Sequence, residues 1–286
     1  MTLYIDPAHI ISDQFGELEP PKPEWTEQIA YWEDYVKKFF LSNGMDFDSS
    51  DSNVEQWLMA PDRAPFSEMV RQLLPRLSDQ VDIGTTEAIL FSHWLPDLHM
   101  GTSVTNFIMH QLGLKDCFGF AISDRGLSAP FFAFDTLYKY LKAGRGTGLL
   151  VIADQKHLLY KSEMVARLKP RNAATVVRLD TRNTKGFEYR GYGRRPLAKG
   201  DQGAAALLSL LAEFDLDTAR TTLIGPKSLL EAADVPEARI NETEESLVCS
   251  APFAVFSDGP DLARNYLLLC QDEVQITALG FKGGEQ

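Results

Sequence analysis

The stretch from Phe118 to Asp154, FGFAISDRGLSAPFFAFDTLYKYLKAGRGTGLLVIAD, decides most of the fold. Its first five residues predict a strand, and the continuous apolar run at residues 148–153 predicts another strand that is buried on both faces. Between them, apolar residues three and four positions apart predict a helix that ends at a C-capping Gly144. The turn from Asp124 to Ser128 joins strand to helix, at a position where many enzymes hold a nucleophile or a phosphate.

Strands alternate with helices on both sides of this stretch, which predicts an α/β fold with helices on both faces of a sheet. After a polar segment at residues 180–203, the same order of elements recurs. We therefore expect two duplicated halves, residues 1–180 and 181–286, packed as one compact unit.

Charge and cysteine content exclude several classes of protein. The 286 residues carry a net charge of -12, which argues against nucleic-acid binding because that function needs a basic face. The three cysteines are widely spaced and form no CxxC pair, so we expect no disulfide framework and no metal site. No export signal and no run of 18 apolar residues is visible, so we expect a cytoplasmic protein without a membrane span.

The segment from Pro96 to His157 resembles the middle of a ketoacyl-acyl-carrier-protein synthase III. The positions in register with that family are Pro96-Asp97, Leu112-Gly113, Phe120, Gly144-Arg145 and Leu149 to Ala153. Near the end of the chain, Pro252 to Val255 resembles the family's second-half helix. The resemblance implies the thiolase-like, five-layered αβαβα fold built from two duplicated halves, with dimerisation through the first half.

The family's chemistry joins a thiol-ester exchange to a decarboxylative condensation, and it depends on a Cys, a His and an Asn. The resemblance places Gly126 at the position of the Cys, Pro226 in the turn of the His, and Glu245 at the Asn. All five histidines lie within the first 157 residues, so no shift of the alignment supplies the missing imidazole. The resemblance therefore implies that no covalent acyl intermediate forms by the family's route.

Two residues are candidate replacement nucleophiles. Ser128 lies two residues beyond Gly126, although the simpler interpretation of this serine is a helix N-cap ahead of Pro130. Cys249 falls close to the second-half turn that faces the site in this family. Neither residue has an identifiable base in the sequence.

Arginines mark a possible binding surface. Arg125 lies in the turn itself, and Arg190 and Arg194 belong to the basic, tyrosine-containing stretch TRNTKGFEYRGYGRR from Thr181 to Arg195. Such arginines could contact phosphate groups of coenzyme A or of a carrier protein. A solvated hairpin is the favoured interpretation of this stretch.

Because the resemblance leaves it without the family's Cys, His and Asn, the chain is similar to the non-catalytic subunits of heterodimeric ketosynthases. It implies a catalytically active ketosynthase III-like paralogue as partner, in a heterodimer or heterotetramer of polyketide, fatty-acyl or quinolone-type biosynthesis. An acyl-carrier protein is a further candidate partner. No cofactor is expected, and acyl-CoA or phosphopantetheine is a possible ligand. Two alternatives remain open: an active acyltransferase or condensing enzyme with a remodelled site, and an acyl- or CoA-binding sensor.

Overall fold

The computed structural model describes residues 2–144, 146–198 and 202–284, and within these ranges the chain forms eleven strands and nine α-helices. Arg145, which the resemblance pairs with Gly144, lies outside the described residues. The strands, numbered in chain order, are β1 (Tyr4–Ile5), β2 (Ile10–Gln14), β3 (Ala88–Ser92), β4 (Phe118–Ile122), β5 (Thr147–Asp154), β6 (Ala173–Asp180), β7 (Phe187–Pro196), β8 (Thr221–Gly225), β9 (Arg239–Glu242), β10 (Asn265–Gln271) and β11 (Gln275–Lys282).

The helices vary from six to sixteen residues. They are α1 (Ile29–Ser42), α2 (Val54–Met59), α3 (Phe66–Ser78), α4 (Val104–Gln111), α5 (Ala129–Gly144), α6 (Glu163–Leu168), α7 (Ala204–Glu213), α8 (Lys227–Ala233) and α9 (Ala251–Ser257). Within the described ranges, none of them is both long and apolar enough to cross a bilayer.

The two sheets repeat one topology. The five-stranded sheet has the order β4-β3-β5-β6-β2, and the six-stranded sheet has the order β9-β8-β10-β11-β7 with β1 added at its end. In both, the first two pairings are parallel and the next two are antiparallel. The duplication expected from the order of elements is therefore confirmed in strand order and direction.

Five layers follow from the way the helices cover these sheets. Helices α5 and α9 contact strands of both sheets and lie between them, in a core that includes Phe134 and Phe253. Helices α3 and α4 cover the outer face of the five-stranded sheet, and α7 and α8 cover that of the six-stranded sheet. All eight residues of β5 are buried, as expected for a strand with helices on both faces. The αβαβα arrangement agrees with the expected fold.

The polar stretch after β6 is a correction to the sequence interpretation. Residues 187–196 form β7 and pair with β11 and β1, whereas a solvated hairpin was favoured for this stretch. The charged residues and glycines of this stretch are uncommon in strands, so the sequence pattern did not indicate one. Gly193 lies so close to α7 that an added Cβ would stand 2.5 Å from Leu210, so the glycine permits the close packing of helix on sheet.

An aromatic insertion separates β2 from α3. Trp32 of α1 and Trp57 of α2 pack edge to face with ring centroids 5.1 Å apart. Arg63 anchors the insertion, since its guanidinium pairs with Glu19 at 2.9 Å and donates to the Trp57 carbonyl at 2.8 Å. The insertion begins with a 3-10 segment, Pro23–Gln28, that continues as α1.

Candidate functional site

The turn after β4 joins the strand to α5 through a glycine in a left-handed conformation. Gly126 has φ 54°, in the left-handed region that glycine adopts most readily, and it begins a 3-10 segment that runs into α5. A Cβ added at Gly126 would meet no atom within 4 Å. The turn thus has open space at Gly126, the residue that the resemblance aligns with the family's Cys, and glycine offers no side chain there.

Ser128 closes this turn. Its buried hydroxyl donates to the Arg125 carbonyl at 2.8 Å, and its amide donates to the same carbonyl at 3.2 Å. A backbone carbonyl cannot take the hydroxyl proton during an attack, so this hydrogen bond gives Ser128 a structural role. The N-cap interpretation is not met, because an N-cap serine accepts from an amide of the following turn, whereas this hydroxyl donates to a carbonyl three residues earlier.

Cys249 is the candidate that the structure brings to Gly126. Its Sγ lies 3.9 Å from the Gly126 carbonyl oxygen, although the two residues belong to different halves of the chain. The preceding residue, Val248, has φ 44° and ψ -115°. A β-branched residue in this region is strained, which shows that the surrounding core fixes the course of the segment that holds Cys249.

Asp154, at the end of β5, links the two halves of the site. Its Oδ1 accepts hydrogen bonds from the amides of Trp94 and Leu95, both at 2.8 Å, and its Oδ2 accepts one from the Cys249 amide at 3.4 Å. The sequence interpretation missed this residue. A carboxylate that ends an otherwise apolar strand was the available signal.

Burial sets the protonation of this pair. It raises the pKa of Asp154 above its ordinary value, although the amide donors oppose the shift. It also raises the pKa of the Cys249 thiol well above the usual range, and the nearby Asp154 charge adds to the effect. Cys249 is 1% exposed. Since the thiolate is the nucleophilic form, Cys249 is an inert thiol at neutral pH.

The positions aligned with the His and the Asn supply no donor to the turn. Pro226 is the half-buried N-cap of α8 and has no N–H. Glu245 is exposed and begins the 3-10 segment that leads to Cys249. The nearby His93 affects the pKa of Asp154 through its charge, but its Nδ1 lies 2.6 Å from the Leu95 carbonyl oxygen.

The three candidate arginines do not form one cluster. Arg190 pairs with Glu188 at 2.9 Å and with Asp215 at 3.4 Å, so its charge is already balanced. Arg194 donates to Gln275 at 2.9 Å.

Arg125 is different because its guanidinium lies 3.9 Å from the centre of the Phe132 ring, and its buried Nε has no hydrogen-bond partner among the described residues. Burial raises the pKa of Tyr192, and the nearby charges of Arg194 and Arg125 both lower it. The structure thus brings two of the three arginines close to one tyrosine, beside the turn.

Two cavities open near the carboxyl ends of β3 and β4, and neither has Gly126 or Cys249 in its lining. One, of about 240 Å³, is largely aromatic and lies under α1, with Tyr35, Phe39, Trp94 and Tyr160 in its walls. The other, of about 460 Å³, lies beside β4 and is more polar.

Comparison with known proteins gives a clear structural match and no match in sequence. No protein-family model matches the chain, and no curated protein matches it. The tetronic acid condensing enzyme AbyA1 superposes with a TM-score of 0.65 at 11% identity, over 99% of this chain and 100% of that chain. Cerulenin-bound OleA of Xanthomonas campestris gives a TM-score of 0.66 at 11% identity, over 99% of each chain.

The chain has the thiolase-like fold of condensing enzymes. OleA with bound lauric acid and lauroyl-CoA superposes equally well, with a TM-score of 0.65 at 12% identity over 99% of each chain. At this level of identity the match establishes the thiolase-like architecture, and the chemistry has to be argued from the residues of the site.

Proposed function

We propose that this chain is a non-catalytic, thiolase-like subunit that binds and stabilises an active ketosynthase III-like paralogue in the cytoplasm. The pathway would be one of polyketide, fatty-acyl or quinolone-type biosynthesis. The partner would supply the Cys, His and Asn, and the complex would take acyl-CoA or the phosphopantetheine of an acyl-carrier protein as ligand.

One observation carries the proposal: the turn that would present a nucleophile holds Gly126, and the thiol that contacts this turn is buried. Cys249 lies against that turn, but it is buried beside Asp154 and protonated. A site without a nucleophile, a base or an oxyanion donor retains only its binding contribution. The intact fold around such a site favours a role in assembly.

The exposed edge of the five-stranded sheet supports a partner. In β4, Phe118 is 51% exposed and Phe120 is 37% exposed, and Tyr140 of α5 stacks on Phe118 with ring centroids 5.7 Å apart. An unpaired edge strand with apolar side chains invites pairing with another chain. A second thiolase-like subunit that pairs along β4 would cover these rings.

Purification of the chain alone and with a ketosynthase III-like paralogue tests this role. We expect the chain alone to show no acyl transfer and no condensation, and co-expression to give a stable complex with condensing activity. A Cys249→Ser variant should support the complex as well as the natural chain does. Absence of any complex, with the chain active alone, would contradict the proposal.

A remodelled condensing enzyme is the second candidate function, and the position of Cys249 favours it. A thiol 3.9 Å from the Gly126 carbonyl lies almost where the family's nucleophile would be. For activity, the segment around the strained Val248 would have to move so that the thiol becomes exposed and loses its proton. Loss of all acyl transfer in Cys249→Ser would favour this candidate over the assembly role.

A further inference from the structure

The cavity of about 460 Å³ beside β4 contains one buried carboxylate and no lysine or arginine among the described residues that line it. It lies between the start of α4 and the edge strand. Its aromatic lining comes from Phe66, Phe91 and Phe120, and Met100 stands at its mouth. The carboxylate belongs to Asp97.

Asp97 is 9% exposed, and only one of its oxygens is satisfied. Oδ1 accepts hydrogen bonds from the amides of Phe66 at 3.0 Å and Leu98 at 2.7 Å. Oδ2 is buried without a hydrogen-bond partner among the described residues. A buried carboxylate in this state is costly unless a cation or a proton completes it.

The imidazole nearest in sequence does not complete it. The Nε2 of His99 lies 2.9 Å from Oε1 of Glu19, so that nitrogen is committed to the insertion. Burial raises the pKa of Asp97, while the amide donors and the His99 charge oppose the shift. Burial therefore favours the protonated form of Asp97, whereas a cation beside it would favour the ionised form.

The rings beside Asp97 suit a cation on an apolar stem. Phe66 and Phe91 lie with ring centroids 5.4 Å apart, and His93 stacks on Phe91 at 5.1 Å. Aromatic faces attract cations, and cages of such rings recognise alkylated ammonium groups. Asp97 lines the cavity, so its negative charge attracts a cation bound there without a rotation that would break the amide hydrogen bonds of Oδ1.

We propose that this cavity binds an alkylammonium group, with Asp97 as counter-ion and the rings of Phe66, Phe91 and Phe120 around the apolar part. The cation has two possible sources, a free small amine or a lysine side chain of a protein bound along β4. The site does not depend on the proposed function, because it lies within this chain alone.

Binding should weaken in acid. A cation favours the ionised carboxylate, so its binding displaces the proton from Asp97 and becomes tighter as the pH rises. The other titratable groups that line the cavity are His93 and His99. Their protonation would add like charge and act in the same direction.

Isothermal titration of the full chain at pH 8 with choline and with n-butylamine tests the site. The neutral control is 3,3-dimethylbutan-1-ol, in which a carbon replaces the nitrogen of choline. We expect at least one of the amines to saturate a single site at least tenfold more tightly than the alcohol, and to bind more weakly at pH 5.5 than at pH 8. Equal affinity for the alcohol and both amines would overturn the proposal.

Variants locate the site. Asp97→Asn keeps an acceptor for the two amides and removes the charge, so it should lose at least tenfold in affinity. Asp116→Asn removes the same charge from an exposed position near β4 and should bind as the natural chain does. Full affinity in Asp97→Asn would overturn the proposal.

If Asp97→Asn fails to fold, Phe120→Leu tests the aromatic wall at a partly exposed position. We expect a threefold to tenfold loss of amine affinity, and unchanged affinity would overturn the aromatic part of the site.

A titration of the complex identifies the source of the cation. Exclusion of the amines when a ketosynthase paralogue is bound would identify a lysine of the partner as the occupant. Retained binding would identify a free amine.

Discussion

The two halves share one strand topology and differ at their edges. β4 ends the first sheet with exposed phenylalanines, whereas β9 occupies the equivalent edge of the second sheet with Arg239, Asn241 and Glu242 around one isoleucine. Charged residues are a common protection for an exposed edge strand, and apolar residues are not. Under the proposed function, another chain would cover the first edge, and the second edge would face solvent.

The turns of the two halves differ as well. In the first half, Gly126 adopts a left-handed backbone conformation, and the turn leads into a helix of 16 residues. In the second half, Pro226 caps a helix of seven residues. The two halves thus share a scaffold, while the positions that the resemblance aligns with the Cys and the His hold Gly126 and Pro226.

The largest expected effect is the loss of unfolding free energy on core truncation. It tests whether the cores of the two halves contribute equally to stability. Leu150 in β5 and Leu268 in β10 are fully buried on corresponding central strands, opposite Leu90 and Ile224. Each Leu→Ala change should cost about 2–5 kcal/mol of unfolding free energy, because it removes apolar contact and leaves a cavity. Urea unfolding measures both, and a difference above about 3 kcal/mol would break the equivalence.

The edges should respond differently to charge. Replacing Phe118 and Phe120 together by Glu should weaken association with the partner by about 100-fold, or about 2.7 kcal/mol, because apolar anchors dominate interfaces. The matched control is Ile240→Glu on β9, which should leave association unchanged. Analytical ultracentrifugation measures both, and equal loss at the two edges would contradict the distinction.

The buried Asp154 should produce a pH dependence that Asp154→Asn lacks. Because its pKa is raised above its ordinary value near 3.8, the folded chain keeps a proton that the unfolded chain releases. Its stabilising contribution is complete below that value and declines as the pH rises above it, by at most about 1.4 kcal/mol per pH unit. The stability advantage of the natural chain over Asp154→Asn should therefore shrink from pH 4 to pH 7, as measured by urea unfolding. A gap that widens with pH would contradict the assignment.

Thiol labelling should separate the two sides of the site, although Gly126→Cys places a side chain at φ 54° and should lower the stability by about 1–2 kcal/mol. Cys249 should resist N-ethylmaleimide at pH 7.5, because it is buried and protonated. A cysteine introduced by Gly126→Cys stands in open space at a half-buried position and should be labelled at least tenfold faster. The half-buried Cys117 serves as the internal reference. Burial raises the pKa of its thiol to about 11. Faster labelling of Cys249 than of Cys117 would show that the site opens.

Much of the fold could be predicted from the sequence, because continuous apolar strands such as β5 have no other stable place than between two helical layers. The order of elements also indicated the duplication. β7 was missed because Gly191 and Gly193 resemble loop residues until the packing of Phe214 and Leu210 against them is known.

The candidate site was less predictable, because its contacts join distant parts of the chain. Cys249 could be suspected from the resemblance, but its approach to Gly126 and its bond to Asp154 span 123 and 95 residues. No local pattern encodes a contact of that length. The exposure of Glu245 also depends on the course of the segment around Val248, which the tertiary packing holds in a strained conformation.

Intact-mass analysis after incubation with an acyl-CoA tests the central claim most directly, that this chain has a condensing-enzyme scaffold without its own nucleophile. The natural chain should keep its unmodified mass, alone and in the complex, while an active paralogue in the same tube gains the mass of one acyl group. An acyl adduct on this chain, mapped to Cys249 or Ser128, would contradict the account.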